Sequence, residues 1–292
     1  MHKVLCSTGA LLKYGGDYKV LETLSKKLQC DGYEFMVDSP YYEEVESLKR
    51  FLRKIKLCIP VVHCEKSIGE KISIGSRAEL EAAYKKFEIN CHTAKDVGAE
   101  KIVIHLWDGR TSDSKFQNNL EGYAVLNEMA GKYGLELLVE NVVCNVEDPM
   151  KRLCELRERY PDIHFTFDTK MAAFHGQLDL LYEVEYEWLW KEGHICHYHV
   201  NDYGGGNMDW KNLRSLPIRK GKIDFARFFE FVSKTGYDGD FTVEATAHDI
   251  EGNVDIEMLN GQFKCIREYV GETSVFCAQV CSGQKGTDQA DM

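Results

Sequence analysis

Short apolar runs rich in Val, Ile and Phe recur about every 30 to 40 residues along this chain, a spacing that suits strands separated by helices. They are Val4–Thr8, Tyr33–Val37, Ile59–Cys64, Ile102–Trp107, Leu135–Glu140, Ile163–Asp168, Ile195–Val200 and Phe241–Ala245. The segments between them carry helical periodicity and helix punctuation. Val20, Leu21, Leu24 and Leu28 follow the cap candidate Asp17. Ser76 with Glu79 has capping-box spacing and opens a helix predicted to run to Gly98. Asp148-Pro149 places a proline in a first turn, where its missing N–H costs nothing, and Asp224 opens a Phe-rich helix ending at Gly236.

Eight strands alternating with helices predict parallel pairing through right-handed crossovers, and eight such units close into a barrel. A doubly wound open sheet is the alternative, but no Gly-rich dinucleotide loop follows the first strand. No linker-like stretch interrupts the chain before about residue 272. The expectation is an α/β chain with one (β/α)8 barrel over 1–272 and a flexible polar C-terminal tail over 273–292.

The 292 residues carry 36 Lys plus Arg against 47 Asp plus Glu, a formal charge of −11. This weighs against nucleic acid as a partner, because displacing counterions from phosphates needs a basic face. No run has the length and apolarity of a membrane helix, and polar residues with Lys13 interrupt the N-terminal segment before a signal-type core could form. The 11 cysteines are odd in number and contain no C-x-x-C pair, so a reducing cytoplasm is expected.

Active sites of such barrels lie at the C-terminal ends of the strands. Six of the eight runs end in or near an ionisable residue: His63, His105, Glu140, Asp168, His199 and Glu244. Three carboxylates converging on one mouth would repel one another unless a cation or the imidazoles neutralised them. Mixed imidazole and carboxylate donors suit a divalent zinc, manganese, iron or cobalt better than calcium.

The ordered set Glu140-Asn141, Asp168-Thr169, His199-Val200-Asn201-Asp202, Gly221-Lys222-Ile223-Asp224 and Val243-Glu244 resembles the xylose isomerase-like TIM barrels, over about residues 3 to 270. That group includes sugar and sugar-phosphate isomerases and epimerases and, more distantly, endonuclease IV. The resemblance implies that Glu140, Asp168, His199 and Glu244 bind one divalent ion (Mn, Zn, Co, Fe or Mg), with Glu140 and Glu244 moving protons. The implied substrate is a small carbohydrate, free or phosphorylated, isomerised or epimerised through an enediolate. A keto-polyol dehydratase is a close variant. Association into a homo-oligomer is also expected from the resemblance.

His63 and His105 match the two histidines that, with the glutamate matched by Glu140, hold a further zinc in endonuclease IV. They are assigned either to a second metal or to substrate binding. The phosphodiesterase alternative lacks its third zinc site here, since Met171 replaces a histidine and Leu213-Arg214-Ser215 lacks an Asp-x-His. Trp107 and Phe35 are expected to face the mouth, where an aromatic face could stack on a sugar. Lys170, His175 and Arg219 are further substrate-contact candidates, although Arg219 stands where family members often carry glycine. His197, two residues before His199, is expected one layer deeper in the barrel.

Overall fold

The computed structural model describes residues 2–271. The tail expected over 273–292 lies outside the described residues. Eight strands form one closed, all-parallel barrel in chain order: β1 (Val4–Ser7), β2 (Gly32–Met36), β3 (Val61–His63), β4 (Lys101–Ile104), β5 (Glu136–Glu140), β6 (His164–Asp168), β7 (Ile195–Val200) and β8 (Asp240–Val243), with β8 closing onto β1. Each expected run overlaps one of these strands, although β2, β4 and β8 begin one residue earlier than expected. The chain is therefore a (β/α)8 barrel.

Side-chain alternation along each strand divides the core in two. Most buried apolar residues fill the shell between barrel and helices, whereas Leu5, Val61, Val103 and Leu138 form a separate cluster in the lumen. The residues two positions further along these strands, among them Ser7, His63, His105 and Glu140, stand above that plug at the mouth.

Helix boundaries follow the local caps. Ser76 Oγ accepts the Glu79 N–H and Gly98 adopts φ +78 after the helix Arg77–Val97. Asp148 and Asp224 cap Pro149–Arg159 and Phe225–Thr235. The segment after Asp17 differs from expectation, being a 3-10 turn (Tyr18–Val20) and one helical turn (Leu21–Leu24). The chain must then reach Asp31, whose N–H donates to the Val4 carbonyl and whose carboxylate accepts the Val4 N–H (2.8 Å). An unanticipated helix, Ser67–Ile74, lies against the end of β4. A Cβ at Gly69 would fall 2.0 Å from the His105 carbonyl oxygen, so only glycine permits that approach.

Buried Asp113 ties two mouth loops together. Its carboxylate accepts the N–H groups of Asn145, Val146 and Glu147 (2.8–2.9 Å) and both Nε and Nη2 of Arg152. Burial pushes this carboxyl up, but the backbone N–H groups and Arg152 outweigh burial and hold it at about 2. Its folded value is thus below its unfolded one, so its contribution is present above about pH 4 and disappears as pH falls toward 2. In Asp113→Asn, acid unfolding followed by circular dichroism should show less of this loss, at the cost of lower stability at neutral pH.

Candidate active site

The mouth is a cluster of imidazoles and carboxylates held by two further strand residues below it. His199 Nε2 donates to Glu34, with 3.0 Å to Oε1 and 3.1 Å to Oε2. This leaves His199 Nδ1 without a hydrogen bond and fully buried. It faces Glu244 Oε2 at 3.5 Å, Glu140 Oε1 at 3.6 Å and Asp168 Oδ2 at 4.0 Å. A buried, unpartnered imidazole nitrogen among three carboxylate oxygens is the donor arrangement that a divalent ion satisfies. Glu34 supplies the carboxylate that fixes the tautomer and direction of such a ligand. The four expected residues thus fit a metal, with donor atoms mutually within 4.8 Å.

Neighbouring asparagines hold the carboxylates in place. Asn201 Nδ2 donates to Asp168 Oδ2 (3.0 Å) and Glu244 Oε2 (3.1 Å), and its Oδ1 accepts the Glu244 N–H. Asn141 brackets the Asp168 backbone, accepting its N–H (2.6 Å) and donating to its carbonyl (3.1 Å). Asp202 accepts the N–H groups of Gly221 and Ile223, which pins the loop after β7. A Cβ at Gly221 would lie 2.3 Å from Asp202 Oδ1, which explains the glycine of the Gly221-Lys222-Ile223-Asp224 motif.

The second group joins at Glu140. His63 Nδ1 donates to the Cys64 carbonyl (2.9 Å), turning Nε2 toward Glu140 Oε2 (3.2 Å). His105 Nε2 meets the same oxygen at 3.0 Å, while its Nδ1 meets Asp108 at 2.6 Å. His63, His105 and Glu140 form a second donor trio sharing its carboxylate with the first.

Electrostatics follow the crowding. Burial alone would raise Glu140, but the His105 and His199 imidazoles hold it well below the usual carboxylate range. Asp168 behaves oppositely. Burial pushes it up to about 6, opposed by Lys170 and reinforced by the charges of Glu140 and Glu244.

The other expected contacts divide. Lys170 is buried beside the quartet, its Nζ donating to Ser215 Oγ (3.1 Å) and its charge felt by Asp168. Trp107 does not face the mouth. It is fully buried in the outer shell, packed edge-to-face on Phe116 with ring centroids 5.3 Å apart, because the strand ends at Ile104 and the alternation lapses beyond it. Phe35 also lies in that shell, since its neighbour Glu34 takes the lumen side. His175 is no ligand in this arrangement, because its Nε2 accepts the Cys144 N–H (3.1 Å) and braces the loop after β5. Arg219 is turned away, donating to Tyr269 Oη (3.1 Å) near the end of the last described helix. Its φ of +69 explains a glycine preference there. His197 lies one layer down, within hydrogen-bond distance of Glu34 (3.0 Å) and Thr242 Oγ1 (2.8 Å).

Glu34 is the main residue the sequence reading missed. Its signal was a carboxylate inside an apolar strand, between Tyr33 and Phe35. Asp108, the partner of His105, was also missed.

The sequence model of the xylose isomerase-like TIM barrel family matches residues 23–263. The chain belongs to the xylose isomerase-like TIM barrel family. Solved structures with the same barrel include a D-tagatose 3-epimerase-like protein, 20% identical, covering 92% of this chain and 98% of that one with a TM-score of 0.68. The IOLI protein with a bound zinc atom is 15% identical, with 92% and 98% coverage and a TM-score of 0.68. The probable 3-DHS dehydratase AsbF from Bacillus anthracis is 16% identical, with 91% and 98% coverage and a TM-score of 0.66. At these identities the likeness shows the fold of this family member. No curated protein sequence matches it.

Proposed function

We propose that this protein is a divalent-metal-dependent isomerase or epimerase acting on a small keto-sugar or sugar phosphate. The observation carrying this reading is the buried His199 Nδ1 without a hydrogen bond, facing Glu140, Asp168 and Glu244. Glu140, Asp168, His199 and Glu244 would hold the ion. Bound there, such an ion would supply Lewis acidity toward a substrate carbonyl and so make the adjoining C–H more acidic. Zinc in the IOLI structure and the epimerase-like relative fit this assignment.

The chain's own groups then divide the proton work. Glu140, kept ionised by the neighbouring His105, serves as a base on one side of the reacting carbon. Glu244, the most open member with a side chain 13% exposed, delivers or takes the proton on the other. Return of the proton to the opposite face gives epimerisation, and return to the adjacent carbon gives aldose–ketose interconversion. Lys170 is a cation positioned to hold a substrate oxygen. A cavity of about 240 Å³ lies at the ends of the first three strands, lined by Gly9, Met36, Asp38 and Lys66 among others. The nine described cysteines are all free thiols, which suits the expected cytoplasm.

The test is wash-in of solvent deuterium at the carbon beside the carbonyl, followed by NMR across a panel of ketoses and their phosphates with manganese, cobalt or zinc. Exchange that stops on chelation supports the proposal. Metal-loaded protein that exchanges none of them refutes it. Lys170→Met should lower kcat/KM by roughly 10- to 100-fold, equivalent to losing one charge-assisted hydrogen bond of about 1.5–3 kcal/mol.

Two alternatives use the same residues. A dehydratase would follow proton removal with loss of a β-hydroxyl, and appearance of the unsaturated product in the same NMR experiment would identify it. The shared Glu140 favours an endonuclease IV-like phosphodiesterase with a second ion at His63 and His105. Absence of cleavage of abasic-site DNA with added zinc would eliminate that alternative.

A further inference from the structure

We infer that the opposite end of the barrel carries a second, separate cation site, formed by Glu136, His164 and Cys196 and suited to zinc. These side chains come from the starts of three adjacent strands, β5, β6 and β7, and their donor atoms lie within 4.8 Å of one another. Glu136 Oε1 and His164 Nδ1 are 2.6 Å apart. One carboxylate, one imidazole and one thiolate supply three positions of a tetrahedral zinc site, and water completes it because His164 and Glu136 are 40% and 32% exposed.

Backbone geometry explains the presence of Cys196 in this group. Phe165 pairs with Ile195 but Thr166 pairs with His197, so Cys196 is an extra residue in β7, at a bulge. A bulge of this kind re-aims a side chain. It lets Cys196 join Glu136 while His197 and His199 keep their places around Glu34. The thiol is within hydrogen-bond reach of the Gly193 carbonyl (3.4 Å). Burial and the neighbouring Glu136 carboxylate push the Cys196 thiol up to about 12, opposed by Lys101, whose Nζ donates to the Cys196 carbonyl (2.9 Å), so the thiolate forms only when a cation displaces the proton. A cavity of about 300 Å³ adjoins, lined by Lys101, Glu136, Cys196 and Asp238 among others. On binding, the Cys196 S–H proton leaves to solvent and the sulfur lone pair forms the metal bond.

The apolar plug of Leu5, Val61, Val103 and Leu138 separates this site from the mouth. Its role would be to clamp β5, β6 and β7 at the end of the barrel where stability is built. It does not depend on the proposed reaction, and neither result decides the other.

The test is titration of metal-stripped full-length protein with cobalt, reading the thiolate-to-cobalt charge-transfer band in the near ultraviolet. The wild type should develop the band, His199→Ala should retain it, and Cys196→Ser should lose it while keeping its circular dichroism. His164→Gln should weaken the cobalt affinity read from the band by at least roughly tenfold. No band in the wild type, or a band that survives in Cys196→Ser, overturns the proposal.

Discussion

Glu140→Gln should slow exchange of the substrate carbon-bound proton by about 10³-fold or more, since a positioned general base contributes roughly 10²- to 10⁴-fold and this one also belongs to the ligand set. The substitution preserves size, so the barrel should fold. It replaces an oxygen facing both His63 Nε2 and His105 Nε2 and removes the charge that both imidazoles meet. Comparing wild-type and variant exchange in deuterated water by NMR, at saturating metal, measures the chemical loss separately from any loss of metal. Full exchange in the variant would remove Glu140 as the base and leave Glu244 as the remaining carboxylate for that role.

Substitution of Glu34 should produce the second large effect, in stability and metal affinity together. Glu34 is fully buried and meets His197, His199 and Thr242 at 2.8–3.1 Å. Burial opposes its charge, but His199 and His197 hold it well below the usual range, so it is present as a carboxylate. Glu34→Ala strands those partners in the lumen, and breaking a buried charge pair from one side costs about 3–5 kcal/mol. Urea denaturation should show that loss. Glu34→Gln keeps the volume but weakens the hold on His199 Nε2, and changes of this kind lower metal affinity by about 10- to 100-fold. Wild-type affinity in Glu34→Gln would show that His199 is oriented by packing alone.

The parts of this molecule that were legible in its sequence are those specified locally. Ser76 with Glu79, Asp148 with Pro149, and Asp224 each cap a helix through contacts within three residues, so those helices start where the sequence places them. The strands were legible because both faces of a barrel strand are buried, which leaves near-continuous apolar runs. The mouth residues stood out as candidates because strand ends carry function in such barrels, and the structure brings them together. Glu34 lacks that marker. It sits in mid-strand, and His197 and His199 lie 163 and 165 residues away, so its purpose exists only after the barrel closes. Trp107 and Phe35 were misplaced for a related reason. Which face a strand residue takes depends on register, and a strand that ends early or a neighbour that claims the lumen reverses the assignment. The bulge at Cys196 is likewise a register effect that no single strand discloses.

The most direct measurement is anomalous diffraction from a crystal of the full chain soaked in manganese. A peak bounded by His199 Nδ1 and the carboxylates of Glu140, Asp168 and Glu244 is the predicted result. Ordered side chains at those four positions with no peak among them would contradict the metal assignment and the chemistry built on it.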